Sequence, residues 1–166
     1  MNVEFEHEIE SVLTPDRLWQ LVVEAFEDSE SSPIWPGHLE TLRCDQLGKQ
    51  AVVEATYHVG PFDTHQSYTI AAFDPDRRTL EYLAGPDHPL TGGGTIHVSA
   101  TRHGSKLRWS GAYALSFWPS ELGALVFVKT WFESRFFGAL ESNLRGVERS
   151  QPRPRPGHTT RDTTPP

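Results

Sequence analysis

The stretch YHVGPFDTHQSY, Tyr57–Tyr68, decides how the middle of the chain folds. Gly60-Pro61-Phe62-Asp63 carries a turn signature: proline pre-sets φ at the first corner, and glycine and aspartate favour the flanks. A reversal at Pro61-Phe62 makes the stretch a β-hairpin. Tyr57 then pairs with Gln66, Ala55 with Tyr68 and Val53 with Ile70 on one face. His58 pairs with His65, Thr56 with Ser67 and Glu54 with Thr69 on the other. The first face is the more apolar. It is expected to point inward, because side chains alternate along a strand and one face must meet the core.

The same phasing extends outward. His103-Gly104 fits a tight hairpin, since glycine tolerates the positive φ of such turns. It pairs Ala100 with Leu107, Val98 with Trp109 and Ile96 with Gly111 on an apolar face that continues to Tyr113. The opposite face pairs Thr101 with Lys106, Ser99 with Arg108 and His97 with Ser110. Leu80 and Tyr82 alternate with Glu81 and point inward. Near the N-terminus VEFEHEIES alternates strictly, with Val3, Phe5, His7, Ile9 and Ser11 on one side and four glutamates on the other. Between residues 38 and 116 the chain reads as strands over about 38–46, 50–59, 64–73, 78–84, 94–102 and 105–116, separated by turn signals. His58 and His65, facing each other on the solvent side, lack an evident third ligand and are read as polar surface. Gly92-Gly93-Gly94, with GPDHPLT before it, reads as a flexible loop able to gate a cavity mouth.

Two helices complete the pattern. Thr14-Pro15-Asp16 supplies an N-cap, a proline at the first helical position and an acid in the first turn. Leu18, Trp19, Leu21, Val22 and Phe26 follow at helical spacing. A long helix is expected from Trp118 to about Leu144, with Leu122, Leu125, Val128, Phe132, Phe136 and Leu140 as one apolar stripe. Lys129 with Glu133 and Glu141 with Arg145 are exposed i,i+4 pairs.

Phased this way, all four tyrosines of the chain, Tyr57, Tyr68, Tyr82 and Tyr113, fall on the inner face. His7, Gln66 and Trp109 join them, and no Lys, Arg, Asp or Glu does in the strands so phased. A buried hydroxyl or amide left unpaired costs ~1–3 kcal/mol. So many polar tips fit a cavity with apolar walls and a few polar groups better than a solid core.

Composition narrows the function. The chain of 166 residues suits one domain, and its 37% apolar content is broken into short segments. None approaches the ~20 apolar residues of a membrane span. The acidic start MNVEFEHEIE lacks the pattern of a secretory signal, so a cytoplasmic protein is expected. Cys44 is the only cysteine, which excludes an internal disulfide and a cysteine-based zinc site. The net charge is −7; four arginines against one aspartate give the segment from Arg149 onward +3, leaving −10 on the rest. An acidic body argues against nucleic-acid binding. Residues 149–166, rich in Pro, Arg and Thr, are expected to be disordered, and 1–148 to form the domain.

The order of elements comes with LTPDRLWQLV (Leu13–Val22), PIW (Pro33–Trp35), AAFDPDRRTLEY (Ala71–Tyr82) and GSKLRWSGAY (Gly104–Tyr113). Over roughly residues 3–146 this resembles the START-like, Bet v 1-like (SRPBCC) superfamily, in its polyketide cyclase/dehydrase and lipid-transport branch. The resemblance implies an α+β helix-grip fold: a curved seven-stranded antiparallel sheet wrapped around the long C-terminal helix, with a short helix pair after the first strand. It implies a cavity between sheet and helix, Trp19 as a structural residue of the first helix, and Trp35 where the second helix meets the cavity mouth. Aromatase/cyclases of this superfamily often carry an arginine on a central strand. Here no Lys or Arg occurs between Lys49 and Arg77, so a substrate must be anchored otherwise.

Three functions are weighed, since a fold alone selects none, and the third, a protein-binding module using the long helix or the basic tail, would need an exposed apolar patch of which the sequence gives no clear sign. The first is a cofactor-independent cyclase/dehydratase acting on a polyketide-like intermediate, with His7 as base and Tyr113 as a second catalytic group. Its binding walls are Trp35, Tyr57, Gln66, Tyr68, Tyr82, Val98, Trp109, Phe132 and Phe136. The second is a non-catalytic binding or transport protein for a lipophilic ligand held by the same residues. The expected partner is a hydrophobic or aromatic small molecule, with no metal and no cofactor implied and a homodimer left open.

Overall fold

The computed structural model describes residues 2–59, 62–87, 90–115 and 134–150. Seven strands form one antiparallel sheet: β1 (Asn2–Ser11), β2 (Glu40–Arg43), β3 (Val52–Val59), β4 (Phe62–Asp74), β5 (Thr79–Ala84), β6 (Leu90–Thr101) and β7 (Gly104–Leu115). Their order is β1-β7-β6-β5-β4-β3-β2, so neighbours in sequence are neighbours in the sheet except that β1 closes against β7. The sheet curls into a half-barrel, and the α+β helix-grip architecture is the one expected.

The first helix, α1 (Pro15–Glu27), starts as its sequence dictates. The Thr14 side chain accepts from the Arg17 amide at 3.3 Å, and proline occupies the first turn. Its buried stripe is Leu18, Trp19, Leu21, Val22, Ala25 and Phe26. One helix stands where a pair was expected, because residues 29–39 form turns and bends around Pro33 and Pro36. The C-terminal helix α2 (Phe137–Ser150) is preceded by a wider, π-type turn over 134–136. It runs past Leu144 and covers Arg149 and Ser150, where the tail was expected to begin. The expected helical start at Trp118, Phe132, the Lys129–Glu133 pair and residues 151–166 lie outside the described residues.

Phe137, Leu140 and Leu144 are the buried residues of α2, and Phe136, in the turn before it, is buried too. Phe137 stacks on His7 at 4.3 Å between ring centroids, and Glu148 accepts from Ser11 Oγ at 2.7 Å, tying the helix to the end of β1. The expected Glu141–Arg145 pair forms at 3.2 Å.

Both hairpins differ from expectation by the same slip. Tyr57 pairs with Thr64, Ala55 with Gln66 and Val53 with Tyr68; Ile96 pairs with Trp109 and Val98 with Leu107. Each reversal sits one residue earlier, which moves the register by two. Every side chain therefore keeps its face, since the pleat also has a period of two. His58 consequently faces Asp63, with Nδ1 and Oδ1 2.8 Å apart, and His65 faces Thr56 rather than its fellow histidine. In the second hairpin Gly104 belongs to β7, not to the turn. A Cβ there would lie 2.1 Å from the Ser11 carbonyl oxygen, so glycine permits close strand approach. The expected Gly92–Gly94 gate is instead part of β6, hydrogen-bonded to β5 and β7.

Candidate functional site

The inner face carries a buried carboxyl that the sequence reading did not place there. β2 pairs with β3 so that Glu40 lies opposite Tyr57 and Leu42 opposite Ala55, which turns Glu40 inward. It is 3% exposed. The inner face is thus not free of charge-bearing groups, and β2 was the strand whose phase its sequence left open.

Glu40 is held by phenols. Tyr68 Oη donates to Glu40 Oε1 at 3.2 Å, and Tyr57 Oη is hydrogen-bonded to Tyr68 Oη. Burial pushes the Glu40 carboxyl up to about 8, against the opposing pull of its bonds from Tyr57 and Tyr68. A second chain lies beside the first. Trp109 Nε1 donates to Tyr82 Oη at 2.9 Å, and Tyr82 Oη is 3.0 Å from Tyr113 Oη. Tyr68 and Tyr82 join the two chains edge to face at 5.2 Å. All four phenols are raised above their ordinary range, chiefly by burial, and so are neutral hydrogen-bonding groups at physiological pH.

Local sequence explains the placement. Gly94 lies beneath Tyr82: a Cβ there would come within 2.7 Å of Tyr82 Oη, so glycine leaves the phenol its seat. The Ser32 hydroxyl accepts from the Ile34 and Trp35 amides at 3.3 Å, and Asn143 of α2 donates to the Ile34 carbonyl at 3.2 Å. These bonds fix Trp35 over the sheet, where Phe26, Trp109 and Phe136 pack on its ring.

Phe26, Trp35, Glu40, Leu42, Tyr68, Tyr82 and Trp109 line a hollow of about 10 Å³. That is the lower limit for a single water, far smaller than a ligand pocket, so a larger guest enters this cavity only when the rings part. Larger hollows, of about 200 and 340 Å³, are open grooves bordered by Thr41, Arg43 and Glu54 and by Gly92–Gly94 and Ala112. Of the four phenol-bearing residues Tyr82 alone borders one of them, the larger, and no group of three or more potential metal-binding side chains occurs among the described residues.

Of the expected site residues, the structure brings Trp35, Tyr68, Tyr82 and Trp109 together around this cavity. Tyr57 and Tyr113 attach through hydrogen bonds, and Phe136 through its packing. Val98 is fully buried opposite Leu107, away from the cavity wall. His7 lies opposite Trp109, half-buried under Phe137, with Nε2 buried and without a hydrogen-bond partner. Gln66 Nε2 and Oε1 and Trp35 Nε1 share that condition. Phe132 lies outside the described residues. Glu40 and Asn143 were missed. The signal for Glu40 was its pairing with Tyr57, which requires the register of a four-residue strand.

A curled seven-stranded sheet gripping a C-terminal helix, over an interior of phenols and one carboxyl, defines a protein of the helix-grip fold. The chain belongs to the polyketide cyclase / dehydrase and lipid transport family, whose profile matches residues 2–149. Among solved structures it is similar to the Zhui aromatase/cyclase from Streptomyces sp. R1128, at 15% identity and a TM-score of 0.71, covering 90% of this chain and 94% of that one. It is also similar to Ara h 8.0201 (17%, TM-score 0.65, covering 88% and 99%) and to norcoclaurine synthase from Thalictrum flavum (17%, TM-score 0.64, covering 91% and 88%). At these identities the likeness is one of fold. A search of curated proteins finds no significant match. No described helix is long and apolar enough to cross a membrane.

Proposed function

We propose that the chain is a cofactor-independent cyclase/dehydratase for a polyketide-like intermediate, with Glu40 as the proton donor at the reacting carbonyl. The observation that carries this reading is the buried Glu40 carboxyl, bonded to Tyr68 and pushed up to about 8. A carboxyl raised this way by burial is predominantly protonated at neutral pH. A neutral carboxylic acid among phenols donates hydrogen bonds to a carbonyl oxygen and stabilises the enolate that forms on it. His7, with its buried Nε2, removes the acidic proton between two carbonyls. The enolate carbon attacks a second carbonyl, which takes a proton and becomes a hydroxyl. Dehydration then expels that hydroxyl as water with a proton from Glu40, while a second C–H proton passes to the base and the protons re-equilibrate with solvent.

The test is conversion of a linear tri-β-ketone thioester mimic to cyclised or dehydrated product, followed by mass spectrometry. Wild type should accelerate it, and Glu40→Gln or His7→Ala should lose ~10²–10³-fold while still folding. No acceleration by wild type over the spontaneous reaction ends the enzymatic reading. The aromatic wall of Phe26, Trp35 and Trp109 favours the alternative, a non-catalytic carrier of a lipophilic ligand. A small molecule released from the purified protein on denaturation, together with no turnover, would select it.

A further inference from the structure

Gln66 lies on the inner face of β4, 6% exposed, with neither amide atom hydrogen-bonded. Roughly nine in ten buried polar groups in native structures find a partner, so a carboxamide with both atoms unpaired is a conspicuous exception. Hydrogen-bonding neighbours are close at hand. Tyr68 is two residues along the strand, Ala55 lies opposite, and Tyr57 follows Ala55 on the same face. Yet Tyr57 and Tyr68 are engaged with each other and with Glu40, and the amide stands beside their cluster without joining it.

We infer that Gln66 is the docking point for a ligand group presenting a hydrogen-bond acceptor and a donor on one planar edge: a carboxamide, a lactam or a carboxylic acid. This rests on the reading of the interior as the ligand site, and it adds the chemistry of the ligand's polar end. The side-chain amide offers N–H and C=O from adjacent positions. A ketone or ester satisfies the N–H and leaves Oε1 unpaired. An aliphatic chain satisfies neither. An amide or acid edge answers both at once, in the two-point manner that makes paired hydrogen bonds directional. Trp35 Nε1 and His7 Nε2, also buried without partners, favour a ligand with several polar groups over a hydrocarbon tail. Such a group would meet the demand that Gln66 carries and that Met or Leu, of similar volume, would not.

Benzamide and methyl benzoate share the ring and the carbonyl acceptor, but only benzamide carries an N–H donor on the same edge. The side-chain amide resonance of Gln66, assigned by its loss in Gln66→Met, reports contact directly. Millimolar benzamide should shift it, and methyl benzoate should do so about tenfold more weakly. Gln66→Met should raise Tm by roughly 2–6 °C, because it removes two orphaned groups, and should abolish the preference for the amide. A resonance that ignores benzamide, or responds equally to both probes, overturns the assignment. So does a fall in Tm in both Gln66→Met and Gln66→Leu, which would mean the amide is already satisfied. Turnover is not read, so failure here is distinct from failure of the Glu40 chemistry.

Discussion

Replacing Glu40 with glutamine should remove a large part of the stability that the protein loses as pH rises from about 5 to 8. The carboxyl ordinarily titrates near 4.5 and is pushed up to about 8 in the fold. The folded state therefore holds a proton that the unfolded state releases. Its contribution is fully present below about pH 4.5, declines as pH rises, and is lost by the time pH passes the folded value. Between about pH 5 and 8.5 this linkage amounts to ~4 kcal/mol. Spread over a domain of this size it corresponds to a Tm change of roughly 8–15 °C. Glutamine keeps the shape and can still accept from Tyr68, but it does not titrate. The assay is thermal unfolding of wild type and Glu40→Gln across that range. Other titrating groups are shared by both proteins and cancel in the difference. The two should be closest near pH 5 and diverge as pH rises through 7 toward 8, with the variant the more stable, and keep a constant gap above the folded value. Tm–pH profiles parallel from pH 5 to 8 would refute the reasoning, since they would mean Glu40 ionises as freely in the fold as in the open chain.

Tyr82→Phe removes the oxygen that receives the Trp109 N–H and bonds to Tyr113, so it should destabilise by ~1–3 kcal/mol in denaturant unfolding with little change in far-UV circular dichroism. Gly93→Ala should cost more, ~3 kcal/mol or above, because its Cβ would stand 2.0 Å from the Tyr82 carbonyl oxygen and backbone must move; a wild-type Tm would contradict the strand register.

The legible part of the fold is traceable to particular residues. The alternation of Val3, Phe5, His7 and Ile9 and the cap Thr14-Pro15 fixed β1 and α1 closely. The inner placement of Tyr57, Tyr68, Tyr82 and Tyr113 survived two misjudged turns because the slip was even. Gly92–Gly94 misled, since glycine signals a loop in isolation but here allows β5, β6 and β7 to pack closely. Residues 29–39 misled through the resemblance, which implied a helix that Pro33 and Pro36 do not support.

By itself the sequence determined which side chains share a face, because a period of two is a local property of the backbone and needs no partner. It thereby determined that the interior would be rich in phenols. Only the tertiary structure decided the chemistry of that interior. A four-residue β2 takes its phase from Tyr57 across the ladder, and that pairing alone turns Glu40 inward. The shift of its carboxyl comes from desolvation by Phe26, Trp35, Tyr82 and Trp109, which reach it from α1, the following turn, β5 and β7. Burial is a property of the assembled fold, and no stretch of the chain carries it alone.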